Sequence, residues 1–312
     1  MVQLSNRPVG NDLRQPASSD MKLAGLALIV AAYFLFSCLD ASAKFLAASL
    51  APLQIVWMRF VTHSGFAVLA FRPWRHPHRF RPNHPLLQIV RALCVGSATF
   101  LNFTAVQYLQ LAETAAIFFL APFIVTALAG PLLGEWAGIR RWAAICIGFL
   151  GALLIVSPGS TGFQPAMLLS FGATLSYSFY LILTRLLSRT ETTESMTLLP
   201  ALIMMAVYTP VGLAVWQPVP DATHWIILLA TGLFGGFGHW VLIRAHESAP
   251  APTLAPFLYT GLIWMVMFGY LLFGDLPGTN TVIGAAIIVA SGLYLFRREK
   301  QVKTASSQPL ER

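Results

Sequence analysis

Ten apolar runs, each about as long as a bilayer is thick, follow one another between Lys22 and Arg298. The spans drawn from them are 22–43, 52–71, 86–108, 112–133, 140–157, 163–186, 197–216, 223–244, 250–274 and 280–297. A hydrocarbon core of roughly 30 Å needs about 20 apolar residues of helix to cross it. With no water there, each backbone N–H and C=O must be satisfied inside its own segment, which for a single run means a helix. The pattern therefore predicts an all-α integral membrane protein with ten transmembrane helices. Breaker residues such as Pro52, Pro77, Gly134, Pro158, Pro218, Pro250 and Pro277 punctuate the gaps.

Composition agrees with a body wrapped in lipid. The chain of 312 residues is 56% hydrophobic and only 10% charged, against about 25% charged in soluble domains. Its net charge of +8 sits in short loops, not on one exposed face, so no nucleic acid is implied as a partner. Cys38, Cys94 and Cys146 each lie inside an apolar run and read as packing residues. Residues 1–21 are polar, and no small-residue cleavage motif follows the first run, so it reads as a retained helix.

The basic residues are distributed asymmetrically. Arg72, Arg75, Arg79, Arg81, Arg140, Arg141, Arg185, Arg189, Arg244, Arg297 and Arg298 all fall on the side of the two termini. The loops near 109–111, 158–162, 217–222 and 275–279 contain none, and Lys44, ending the first span, comes nearest. Positive charge marks the cytoplasmic face. Both termini are thus expected in the cytoplasm, with the spans in the cell inner membrane.

The two halves match at an offset of 140: Ala105 with Ala245, Ala115 with Ala255, Ile147 with Ile287, and Gly134-Glu135 with Gly274-Asp275. Five spans per half is an odd number, so the second half enters the membrane upside down. Inverted repeats of this kind build transporters with a site at the seam. The division read from this is a tail at 1–21, a first five-helix repeat at 22–157, a second at 163–298, and a tail at 299–312.

The stretch from Ala105 to Glu113, then Ala121-Pro122, Gly134-Glu135-Trp136 and Arg141-Trp142, resembles the EamA repeat of the drug/metabolite transporter superfamily. The second copy shows Ala249 to Tyr259 and Phe273-Gly274-Asp275; Asp40 to Lys44 and Trp57-Met58-Arg59-Phe60 also look like family patterns. The second copy departs at Leu262, where the first has Pro122. The resemblance implies a ten-helix inner-membrane carrier, working by alternating access without ATP hydrolysis. Substrates in the family include amino acids, nucleotide sugars, S-adenosylmethionine and riboflavin.

Charged residues inside a bilayer cost about 2.5–3.5 kcal/mol on insertion scales, so each needs a partner, water or a task. Asp40 and Lys44 lie four apart and can pair on one helix face, as a gate, a substrate contact or a neutral pair at a helix end. Arg59 lies about 10 Å into the second span and can offer its planar fork to an anionic or carbonyl group, or serve Asp40. His63 follows one turn later. His239 lies low in the eighth span, below a Gly232/Gly236 face suited to close helix contact. Glu135 and Asp275 read as helix-end acids pairing with nearby Arg. Trp57, Tyr259 and Trp264 are candidates to line a site for a flat ring, and Pro122 and Pro256 are candidate hinges.

No phosphate loop, zinc spacing or Gly-x-Ser-x-Gly elbow occurs. No cofactor, metal or catalytic residue is expected, and the chain does not read as an enzyme. The reading is a secondary transporter for a small organic metabolite, a vitamin such as riboflavin or a nucleoside-like or amino-acid-like compound. A proton is a candidate coupling ion, and a monomer or homodimer fits equally. The competing class is a membrane-embedded enzyme acting on a lipid-like substrate. Such sites cluster acids, His or Arg at one face, whereas here the charges are scattered.

Overall fold

The computed structural model describes residues 19–134, 138–156, 164–187, 190–248 and 254–306. The helices are α1 (Ser19–Ala47), α2 (Pro52–Phe71), α3 (Pro85–Ala105), α4 (Leu111–Phe118), α5 (Ala121–Leu133), α6 (Ile139–Val156) and α7 (Ala166–Leu187). They continue with α8 (Thr193–Ala214), α9 (Ala222–Ser248), α10 (Thr260–Phe273) and α11 (Thr279–Ser306). Short 3-10 turns lie at Pro77–Phe80 and Ala255–Tyr259. No strand occurs among the described residues. Seven helices are long and apolar enough to cross a membrane, and Trp142–Val156, Phe257–Phe273 and Thr279–Tyr294 are shorter apolar helices that complete ten. Leu23, Leu69, Ile226 and Leu271 stay exposed, as side chains solvated by lipid do.

Two spans are not single helices. The fourth breaks at Phe119–Leu120 into α4 and α5, two residues ahead of Pro122. The ninth opens as the 3-10 turn containing Pro256 and becomes α-helical only at Thr260. Pro122 and Pro256 therefore sit in the first turn of a helical segment, where a missing N–H breaks no hydrogen bond. Pro200 and Pro210, by contrast, lie inside the continuous α8. The last helix also outruns its apolar part: residues 299–306 continue α11, because Glu299, Lys300, Gln301 and Lys303 are good helix formers.

The offset of 140 lays α1 on α7, α2 on α8, α3 on α9, the α4–α5 pair on the 3-10 turn plus α10, and α6 on α11. Spans four and nine end alike, in left-handed caps at Gly134 (φ 72°) and Gly274 (φ 70°). Only glycine takes that conformation without strain. Across the seam α2 packs on its counterpart α8 and α6 on its counterpart α11, while α1 crosses to α9 and α3 to α7. All four pairs are antiparallel. Trp57 meets Thr209 while Gln54 meets Gln217; Phe36 meets His239 while Phe45 meets His224. Two large apolar cores result, one around Leu46, Ile55, Phe60, Phe103 and Met204, the other around Leu120, Phe123, Ile155 and Ile288, with a smaller cluster of Ile29, Ala245 and Leu254.

Candidate functional site

Helix α1 carries Tyr33, Phe36, Ser37 and Asp40, spaced three and four apart and so on one stripe. That stripe forms one wall of a cavity of about 870 Å³ of empty space, counting its open mouth. Arg59 enters from α2, Thr99 and Asn102 from α3, Thr114 and Phe118 from α4. The second repeat contributes Tyr177 from α7, His239 from α9, and Gly261 and Met265 from α10. The cavity thus lies at the seam, with aromatic walls and few polar groups, the usual make-up of a small-molecule pocket.

Two opposite charges face this space. Asn102 Nδ2 donates to Asp40 Oδ1 at 3.0 Å. The Arg59 guanidinium lies over the Phe60 ring, 4.6 Å from its centroid, with the residue only 3% exposed. Its Nε and Nη1 donate to no acceptor. Asp40 and Arg59 attract each other, yet no direct ion pair joins them. Behind Arg59, the rings of His63 and His239 stand nearly parallel, 6.4 Å apart, and neither nitrogen of His63 has a hydrogen-bond partner.

Glycines bring α9 this close. A Cβ at Gly235 would lie 3.2 Å from Arg59 Nε and Nη2, and one at Gly236 would lie 2.8 Å from His63 Cδ2. The small-residue face of the eighth span is the surface that presses α2 and its charge toward the cavity.

Of the residues singled out above, Asp40, Arg59 and His239 line the cavity, and His63 stands one layer behind. Lys44 does not pair with Asp40. It donates to Asp275 Oδ2 at 2.6 Å and to the Leu109 carbonyl at 2.9 Å. Lying in the last turn of α1, it reaches the loop after α10, and Asp40 is left to Asn102. Asp275 accordingly meets a lysine and not an arginine; Glu135 lies outside the described residues. Trp57 is engaged outside the cavity, donating to Thr209 Oγ1 at 3.1 Å and edge-on to Trp216. Tyr259 lies behind the wall, edge-on to Phe119 at 5.1 Å, and Trp264 is edge-on to Phe34 at 5.2 Å.

Sequence reasoning overlooked Phe36, Ser37, Thr99, Asn102, Thr114 and Phe118. A signal existed for some: Asn102 is an amide inside an apolar run, and Ser37 continues the stripe that ends at Asp40.

At the face of the termini, a second buried cation has a different environment. Arg91 donates to Thr184 Oγ1 at 2.7 Å, Gln88 Oε1 at 3.1 Å, Tyr180 Oη at 3.3 Å and the Met196 carbonyl at 3.0 Å. It clamps α3 to α7 and α8. Nearby, Glu191 Oε1 accepts from the backbone N–H groups of Asn83 and His84, and Arg79 pairs with Glu194 at 3.1 Å.

A multi-pass helical membrane protein with two inverted repeats and a charged cavity at their seam is the class that fold and site define. The EamA-like transporter family model matches residues 23–157 and 164–297, and the chain belongs to that family, within the drug/metabolite transporter superfamily. A riboflavin transporter of Vibrio cholerae is 30% identical over 184 residues, 59% of this chain and 62% of that protein's length. An S-adenosylmethionine uptake transporter of Rickettsia prowazekii is 24% identical over 266 residues, 84% of this chain and 88% of that one. A riboflavin transporter of Brucella anthropi is 28% identical over 228 residues, 70% of this chain and 79% of that one. A solved crystal structure at 19% identity shares the fold, with a TM-score of 0.62 over 89% of this chain and 99% of its own.

Proposed function

We propose that this protein is a secondary active transporter that moves a small organic metabolite across the inner membrane by alternating access. The observation that carries the reading is the seam cavity holding Asp40 and Arg59, a polar pair that a purely structural bundle has no reason to keep in lipid. The names of the relatives, riboflavin and S-adenosylmethionine transporters, support a ring-bearing metabolite as cargo. In this reading both termini face the cytoplasm. Substrate contacts Asp40, Arg59 and His239, with His63 tuning Arg59. Lys44 and Asp275 latch the far face, and Trp57, Tyr259 and Trp264 hold the walls. The breaks ahead of Pro122 and Thr260 are where the repeats flex, and a proton gradient is the candidate drive.

Proteoliposomes containing the purified protein test this with labelled riboflavin and S-adenosylmethionine. Saturable, gradient-dependent uptake of unmodified compound is expected. Chemical conversion without accumulation would establish an enzyme in its place.

A further inference from the structure

The two buried arginines of this bundle are treated differently. Arg91 has its guanidinium bonded to four partners. Arg59 is as deeply buried, yet two of its nitrogens find no acceptor. A desolvated guanidinium left open is costly, and a planar two-oxygen group is what its fork fits best. Asp40 lines the same cavity, keeps one oxygen on Asn102 and makes no ion pair with Arg59. The lining charges thus sum to zero while staying apart. Aromatic rings line the same cavity in two pairs: Phe118 with Tyr177, centroids 4.8 Å apart, and Tyr33 with Phe36, centroids 6.0 Å apart.

Resting on the transport reading, we propose that the cavity selects a ring-bearing zwitterion. Its carboxylate sits on Arg59, its ammonium on Asp40, and its ring among Tyr33, Phe36, Phe118 and Tyr177. A neutral flat solute fills the aromatic part and leaves the Arg59 donors unanswered. A singly charged one leaves one lining charge unanswered. Gly235 is part of the device, because any side chain there would push against the guanidinium.

The test uses the full-length protein and these probes: tryptophan as a ring-bearing zwitterion, S-adenosylmethionine as a ring-bearing zwitterion with an added sulfonium charge, tryptamine without the carboxylate, 3-indolepropionate without the amine, and neutral riboflavin. Thermal stabilisation gives affinity and proteoliposome uptake gives transport. At least one zwitterion is expected to bind and move, with tryptamine, 3-indolepropionate and riboflavin weaker by roughly tenfold or more. Arg59→Gln is expected to erase the preference for tryptophan over tryptamine, and Asp40→Asn that over 3-indolepropionate. The wild-type series stands alone if either variant fails to fold. Riboflavin uptake with both zwitterions inert, or equal affinity across the indole series, overturns the selection rule and leaves transport intact. Saturable uptake of none of the five overturns both.

Discussion

At Gly232 a Cβ would lie 1.8 Å from the Thr62 hydroxyl and 2.5 Å from the His63 backbone nitrogen. Backbone does not yield as a flexible side chain does, so Gly232→Ala is expected to separate α9 from α2, at about 1–3 kcal/mol, read as a lower melting temperature in detergent. Gly235→Ala is expected to behave otherwise. The three atoms nearest its Cβ all belong to the Arg59 guanidinium, none closer than 3.2 Å, so the protein should melt close to wild type while uptake falls. Equal melting losses for the two variants would contradict this division. The small-residue spacing at 232 and 236 was legible in the sequence because helical periodicity alone assigns it a face. The partner of Lys44 was not. Four-residue spacing pointed to Asp40, but Asp275 lies 231 residues away, and no local pattern carries a contact of that range.

At the scale of elements, two polar links hold helices in register. Lys44 and Asp275 are both mostly buried, at 16% and 26% side-chain exposure, and tie α1 to the end of α10. A double-mutant cycle with Lys44→Met and Asp275→Asn is expected to give a coupling of about 1 kcal/mol in thermal stability. A coupling near zero would make the contact incidental. Arg91 should matter more: Arg91→Ala strips partners from three helices and is expected to cost about 2–4 kcal/mol. Arg91→Lys should recover little, since a point charge cannot reproduce the fork. The breaks in the fourth and ninth spans were half legible. Pro122 and Pro256 flagged the places, but hydropathy does not separate a proline that starts a segment from one that bends it.

For the whole molecule, the ten-helix count and the inverted pairing could be read from run length, the Gly-acid pair and the one-sided arginines. The cavity could not. Which polar residue faces inward depends on how helices rotate in the bundle, so Asp40 and Arg59 were anticipated while Asn102 and Thr114 were not. Reporter fusions at each terminus are expected to place both on the cytoplasmic side; opposite sides would dismantle the topology. The pairing of α2 with α8 and α6 with α11, where Gly151 meets the Gly284 backbone, has one more consequence. Each half clasps the other much as two copies of one ancestral peptide would clasp in an antiparallel duplex. Coexpressed as separate polypeptides, residues 1–160 and 161–312 should find each other in the bilayer and regain uptake without a covalent tether.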